Sequence, residues 1–232
     1  METPTPETTQ NFKYFDLIMV SFVTLLLCAN LIGAPKVCHL WGLTFGGTLI
    51  FFPITYLFGD VLTEVYGYKK SRKVVWAGFG ALIFACFVSR IMIALPPDPS
   101  WNHQEALKTV FDSTPRIVAA SLVAYLVGEF SNSFVLAKLK ILTKGKWLWT
   151  RVVGSTIIGE AVDSIIFYPL AFYRIWPTEL LAEVMVTSYL FKVIWETLMM
   201  PITYRLVDFL KKHEKQDYFD YKTNFSPFSF EE

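Results

Sequence analysis

The sequence is short of the residues that build disulfide frameworks, zinc sites and hydrolytic active sites. It contains three cysteines and three histidines in 232 residues, and the cysteines are widely spaced with no C-x-x-C pair. Neither a disulfide framework nor a zinc site is therefore expected. The HExxH, GxSxG and GxGD patterns of zinc proteases, α/β-hydrolases and intramembrane aspartyl proteases are also absent. We expect no metal, no cofactor and no enzymatic activity.

Charge is sparse as well, at 18% of residues, whereas 53% of residues are hydrophobic. A chain this apolar is typical of a membrane protein, and about 20 residues are needed for each crossing of the bilayer. The length then accommodates an all-α integral membrane protein with six transmembrane helices. We expect a polar N-terminal segment (1–14), one membrane domain (15–210) and a cytoplasmic C-terminal tail (211–232), with no direct binding of nucleic acid.

Apolar runs between Gly, Pro and basic loops mark the six helices, and the first run is expected to be a retained helix rather than a signal peptide. The predicted ranges are 17–32, 42–59, 74–95, 116–137, 152–175 and 183–207. Pro53 lies inside the second range and predicts a kink there. The polar segment 96–115 predicts a loop that contains a short surface helix.

Lysine and arginine are distributed unevenly among the predicted loops. Most of them fall near the N-terminus, in the loops after the second and fourth helices, and in the C-terminal tail. Positive residues are retained on the cytoplasmic side of a membrane protein. We therefore expect both termini to be cytoplasmic.

Three segments inside these helices repeat one polar pattern: a glycine, an acid, two spacers and two polar residues. They are 59–64 (GDVLTE), 128–133 (GEFSNS) and 159–164 (GEAVDS). Side chains at i, i+3 and i+4 share one helix face. Because an ionisable residue costs roughly 2.5 to 3.5 kcal/mol at the centre of a membrane helix, such a face normally points to a cavity or a partner.

Glu129 and Glu160 lie at similar distances from the loop that joins the fourth and fifth helices. At 1.5 Å per residue, both should lie at a common depth and could face one site. Two carboxylates at one level repel unless a proton or a cation lies between them. Lys192 and Glu196, four residues apart on the sixth helix, predict an ion pair near this level.

A second repeat links the second and sixth helices. Pro-Ile-Thr-Tyr is followed by Asp60 in one copy and by Asp208 in the other. Both helices are predicted to run from outside to inside, so both copies would enter the bundle in the same sense. Repetition with Pro-interrupted helices is a feature of transporters.

Structural interpretations compete with functional ones at several of these positions. Buried Asn and Ser residues most often hydrogen-bond between helices, and the glycines could serve only to allow close packing. Asp60 and Glu64 could be solvated near the cytoplasmic face, or paired there with Lys69 or Arg72. A functional role is favoured for the deeper acids, Glu129, Glu160 and Asp163.

The motifs PITYLFGDVLTEVYGYKKSR (53–72), GEFSNSFVLAKLK (128–140) and GEAVDSIIFYPLAF (159–172) resemble those of the queuosine precursor transporter family, of the vitamin-uptake-transporter type. The resemblance implies uptake of queuine or pre-queuosine bases, which are 7-deazaguanines used in transfer RNA modification. It also implies a bacterial inner-membrane protein with a six-helix fold similar to the substrate-binding components of energy-coupling-factor transporters, working without their ATPase module.

A guanine-like ring suits the polar residues. Glu160 or Glu129 could accept two hydrogen bonds from the N1–H and the exocyclic amine. The Asn132 amide could hydrogen-bond to the O6 or N7 edge. Asp163 or the second glutamate would balance a cationic aminomethyl arm. The candidate substrate-binding residues are Tyr56, Asp60, Glu64, Glu129, Asn132, Glu160, Asp163, Lys192 and Glu196.

Three other functions fit a helical bundle with buried acids. An intramembrane enzyme could use paired acids for acid-base chemistry or metal binding. A transporter of another vitamin-like or cationic solute would need the same carboxylates. A structural subunit of a larger complex would differ from both because it would bind no ligand when purified.

Overall fold

The computed structural model describes residues 12–33, 37–40, 43–46, 51–111 and 115–229. Within them, seven α-helices and one antiparallel hairpin follow in this order: α1 (Phe15–Cys28), a π-helical turn (Ala29–Gly33), β1 (Val37–Leu40), β2 (Leu43–Gly46), α2 (Phe52–Tyr66), α3 (Tyr68–Ala94), α4 (Gln104–Phe111), α5 (Pro115–Leu142), α6 (Leu148–Phe172) and α7 (Thr178–Glu214).

Four helical segments are long and apolar enough to cross a membrane: Phe15–Ile32, Tyr68–Ala94, Ala119–Leu142 and Leu148–Phe172. The chain is thus an all-α integral membrane protein apart from the hairpin. With 15 residues, α2 is about 22 Å long, whereas the 37 residues of α7 extend over about 55 Å, longer than the bilayer core. The short helix expected in the polar loop is α4.

The second predicted helix, 42–59, is wrong in its boundaries. Strand β2 occupies part of it, residues 47–50 lie outside the described residues, and α2 begins only at Phe52. Pro53 therefore lies in the first turn of α2, where a missing N–H leaves no hydrogen bond unmade, and the expected interior kink does not arise. The helix continues beyond Gly59 because Val61, Leu62 and Val65 extend its buried apolar face, and it ends at Gly67, which has a positive φ of 85°.

Two glycines allow α5 and α6 to pack closely. A Cβ placed on Gly128 would lie 2.9 Å from the Asp163 Cβ, and one placed on Gly159 would lie 2.7 Å from the Asn132 Cβ. Both distances are too short for carbon atoms, so only glycine fits at either position. The glycines of the repeated motif thus bring the polar residues of the two helices together.

Residues 217–228, here called the C-terminal strap, fold back over α3 instead of leaving the bundle. The backbone N–H of Tyr68, in the first turn of α3, donates to Asp220 at 3.0 Å, and Arg72 donates to the carbonyl of Asn224 at 2.8 Å. Buried polar groups of the α2–α3 turn are satisfied in this way. Of the polar segment predicted at 1–14, residues 1–11 lie outside the described residues.

Candidate functional site

Five acidic side chains from four helices are buried together in the bundle. This inner acidic cluster consists of Asp60 of α2, Glu129 of α5, Glu160 and Asp163 of α6, and Glu196 of α7. Their exposed fractions run from 0% for Asp60 to 9% for Asp163. Glu129 is close enough to interact electrostatically with Asp60, Glu160 and Asp163, and the Glu196 carboxyl faces Asp60. The structure therefore brings Glu129 and Glu160 into one cluster, with α2 and α7 adding further acids.

The glycine that precedes Asp60 makes room for this cluster. A Cβ on Gly59 would collide with Oε1 of Glu129. Only a residue without a side chain lets the Glu129 carboxyl lie against α2 at this level. The Gly-acid pairs of the repeated motif thus serve close packing and place the acids at the same time.

Lys192 supplies positive charge to the inner acidic cluster. Its Nζ lies 2.7 Å from Glu160 Oε2 and 2.8 Å from Asp163 Oδ2, and it lies 6.0 Å from the centre of the Tyr56 ring. The sequence predicted an ion pair between Lys192 and Glu196, and this prediction is wrong. Spacing along one helix identified a possible pair, but two carboxylates on the neighbouring helix α6 hold the ammonium.

Asn132 links α5 to α2. Its Nδ2 donates a hydrogen bond of 2.7 Å to Asp60 Oδ1, and the side chain is almost fully buried. The expected role at the acceptor edge of a base therefore changes, because the atom left free is the amide oxygen. Ser133 next to it bonds between helices, 3.2 Å from Thr63 Oγ1 and 3.0 Å from Ser71 Oγ. That arrangement matches the structural interpretation of this serine.

Nine buried polar atoms on α2, α5, α6 and α7 have no hydrogen-bond partner within the described part of the chain. They are Asp60 Oδ2, Glu129 Oε1, Asn132 Oδ1, Glu160 Oε1, Glu196 Oε1, Tyr125 OH, Thr156 Oγ1, Ser164 Oγ and Trp195 Nε1. Buried polar groups in folded proteins are nearly always hydrogen-bonded, so this concentration indicates a ligand site. Five of the nine are carboxyl or amide oxygens, which accept hydrogen bonds when the carboxyl groups are ionised, so a ligand with N–H or O–H donors would satisfy them.

Glu64, one helical turn after Asp60, lies in a different environment. Its carboxylate is 2.6 Å from Arg151 NH2, 2.7 Å from Lys211 Nζ and 3.6 Å from Lys140 Nζ, and Asp217 joins the two lysines. We call these five residues the outer charge cluster. Partial burial acts to raise the pKa of Asp217, but hydrogen bonds from Lys140 and Lys211 outweigh it and hold this pKa below its usual value.

The partners expected for Glu64 from the sequence, Lys69 and Arg72, are wrong. Arg72 donates instead to strap carbonyls, including that of Ser226 at 2.7 Å. Sequence reasoning counted Lys140 and Arg151 only as loop charges. Their position near the two ends of the α5–α6 connection, level with the end of α2, was the signal that could have identified them.

The second copy of the Pro-Ile-Thr-Tyr repeat does not enter the site. Asp208 is exposed, and the Tyr204 hydroxyl accepts a hydrogen bond of 3.0 Å from the backbone of Trp149. The repeat therefore places an acid in the bundle only through Asp60. Among the described residues, no group of His, Cys, Asp and Glu is arranged to hold a metal ion.

Comparisons with known proteins agree on one family. A family model described as a putative vitamin uptake transporter matches residues 46–206. The chain is 30% identical over 199 residues to a probable queuosine precursor transporter of Bacillus subtilis, covering 85% of this chain and 86% of the relative. It is 27% identical to the queuosine precursor transporter of Escherichia coli and 30% identical to a probable one of Haemophilus influenzae. These two alignments cover 63% and 61% of the relatives, respectively.

No solved structure shows significant similarity to the chain. The names of the relatives describe transporters rather than enzymes, which disfavours the intramembrane enzyme. The family model spans more than half of the chain, and the Bacillus relative aligns over most of both proteins. The chain therefore belongs to the putative vitamin uptake transporter family, alongside relatives named as queuosine precursor transporters.

Proposed function

We propose that this chain imports queuosine precursors, the 7-deazaguanine bases queuine and pre-queuosine, across a bacterial inner membrane. The observation that carries the proposal is the set of acceptor oxygens left without partners in the inner acidic cluster. A guanine-like edge carries N–H donors at N1 and at the exocyclic amine, and a carboxylate can accept both at once. The names of the relatives point to the same ligands.

Glu160 and Glu129 are the two acids proposed to hold that edge. Both are buried, and Oε1 of each has no hydrogen-bond partner among the described residues, whereas Oε2 of Glu160 is ion-paired with Lys192. With its nitrogen directed at Asp60, Asn132 would accept from a further ring N–H. The Lys192 ammonium would donate to the ring carbonyl, and the Tyr56 ring would pack against the flat base.

The topology proposed for this transporter has six crossings, with α2 and α7 completing the four apolar spans, and both termini in the cytoplasm. The end of α5, the start of α6 and the C-terminal part of α7 supply the basic residues of the outer charge cluster. Positive charge at this end agrees with a cytoplasmic position. We propose likewise that the bundle resembles the substrate-binding components of energy-coupling-factor transporters and needs no ATPase module.

A second candidate is a transporter of another vitamin-like or cationic solute. The excess of buried acids over cations in the inner acidic cluster favours it, because a cationic ligand of any shape would relieve their repulsion. Competition separates the two candidates. Uptake of labelled queuine should be blocked by the pre-queuosine bases and little affected by unrelated organic cations.

Uptake in bacterial cells that cannot make the precursor tests the proposal. Cells carrying the wild-type chain should accumulate labelled base, and Glu160→Gln should reduce the rate at least about tenfold, because it halves the charge available to the N–H edge. Asp208→Asn, on the exposed side of α7, is the matched control and should transport normally. Unimpaired transport by Glu160→Gln at equal expression contradicts the carboxylate clamp.

A further inference from the structure

The surroundings of the Lys192 ammonium form a complete site for an organic cation. Two carboxylate oxygens, of Glu160 and Asp163, lie 2.7 and 2.8 Å from Nζ, and the Tyr56 ring lies 6.0 Å away on another helix. Carboxylates and an aromatic ring are the groups that bind ammonium ions in proteins. The site is therefore built from α2 and α6, and α7 supplies the ammonium that fills it.

Lys192 is the most exposed of the three charged side chains in this arrangement. Its side chain is 18% exposed, whereas that of Glu160 is 1% exposed and that of Asp163 is 13% exposed. A lysine ammonium on a flexible four-carbon chain can withdraw without moving its helix. The two carboxylates are less exposed and lie beside the close contact that Gly128 and Gly159 allow between α5 and α6.

We propose that Lys192 occupies an ammonium subsite in the empty transporter, and that a substrate carrying a primary or secondary ammonium group displaces it. The proposal rests on the proposed function and adds a specificity-determining residue to it. The subsite consists of Glu160, Asp163 and the ring of Tyr56. A neutral base of the same shape leaves Lys192 in place, whereas a cationic base takes over its two carboxylates.

The consequence is that Lys192 competes with one class of substrate only. Removal of the Lys192 charge leaves Glu160 and Asp163 without a cation, and only a cationic ligand can restore the missing positive charge. Lys192→Met should therefore strengthen binding of a cationic base relative to a neutral one. Lys192→Arg keeps the charge and should keep the wild-type preference.

The experiment measures the dissociation constants of two 7-deazaguanines, one with an aminomethyl arm and one with a nitrile, for the purified full chain in nanodiscs. In Lys192→Met, the ratio of the two constants should shift at least about tenfold towards the cation, and in Lys192→Arg by less than about threefold. An equal change for both bases in Lys192→Met shows a merely structural lysine and overturns the proposal.

Asp163→Asn keeps the proposal testable if Lys192→Met does not fold. Here Lys192 remains but the subsite loses one carboxylate, so the cationic base should lose affinity and the neutral base should not. A loss shared by both bases overturns the proposal. If the wild-type chain binds neither base, the proposed function is overturned, and this inference with it. If the wild-type chain binds both bases and the ratio of the two dissociation constants is unchanged in the variants, this inference alone is overturned.

Discussion

Two acidic residues one turn apart on α2, Asp60 and Glu64, belong to clusters that differ in charge balance. The outer charge cluster surrounds Glu64 with an arginine and two lysines, and every charge in it has an opposite partner. The inner acidic cluster surrounds Asp60 with four further acids, and Lys192 is the cation that the described ion pairs place there. Buried carboxylates with enough cationic partners stabilise the fold, whereas we propose that the acids of the inner acidic cluster, which outnumber their cation, form a ligand site.

This difference predicts that the same substitution has opposite consequences in the two clusters. Glu64→Gln should give the largest loss of stability, about 3–5 kcal/mol, because it leaves the buried Arg151 without its anion and leaves Lys140 and Lys211 with Asp217 alone. Thermal unfolding of the purified protein measures the change. Glu105→Gln, in an exposed pair with Lys108, is the matched control and should change stability little. A wild-type unfolding temperature for Glu64→Gln would show that the outer charge cluster is not structural.

The packing between α5 and α6 should have the second-largest effect on stability. Gly159→Ala places a Cβ 2.7 Å from the Asn132 Cβ, so the helices must separate. We expect a loss of about 1–3 kcal/mol in stability and a loss of transport, because the inner acidic cluster is built across this contact. Gly80→Ala, where no atom lies within 4 Å of an added Cβ, is the control for a glycine substitution. Equal behaviour of the two variants contradicts the role assigned to the contact.

Asp217 should contribute less to stability than Glu64 or Gly159, because its side chain is 45% exposed and solvent screens its ion pairs with Lys140 and Lys211. Asp217→Asn should cost less than about 1 kcal/mol at neutral pH. The pKa of Asp217 is lowered in the folded protein, so its contribution is present above the unfolded-state pKa and is lost as pH falls through the folded-state value. The difference between variant and wild type should therefore shrink in acid, and a difference that grows there speaks against this ion pair.

The smallest effect on stability is expected in the inner acidic cluster itself. Glu129→Gln should leave the free energy of unfolding unchanged or slightly raised, because it removes repulsion from Asp60, Glu160 and Asp163. It should nevertheless weaken binding of the base, since one acceptor for an N–H donor becomes a donor. Calorimetric binding beside thermal unfolding separates the two effects. A large loss of stability would place Glu129 with Glu64 as a structural residue.

Local patterns in the sequence located the apolar helices and the surface helix α4, because hydrophobic runs and Pro-Pro breaks report on single elements. The start of α2 was missed because glycine and apolar residues before Phe52 fit a helix and a hairpin equally well. Their similar distances from the loop between the fourth and fifth predicted helices were enough to group Glu129 with Glu160.

Partners that come from other helices were beyond the sequence. Lys192 was matched to Glu196 by spacing, yet its acids lie on α6, and Glu64 was matched to the nearest basic residues in the chain, yet its cations come from α5, α6 and α7. Ion pairing inside a bundle depends on which helices are neighbours, and the spacing of residues along the sequence does not show this. Residues 217–228 read as a polar tail for the same reason, although they pack on α3.

Ligand-induced stabilisation of the purified chain tests the proposal that the acids of the inner acidic cluster form the site for a 7-deazaguanine base. Queuine or a pre-queuosine base at 100 times its dissociation constant should stabilise the wild-type protein by about 2.7 kcal/mol, and the same base concentration should have little effect on Glu160→Gln. Asp208→Asn should respond like the wild type. Equal stabilisation of Glu160→Gln and wild type by the base would contradict the account.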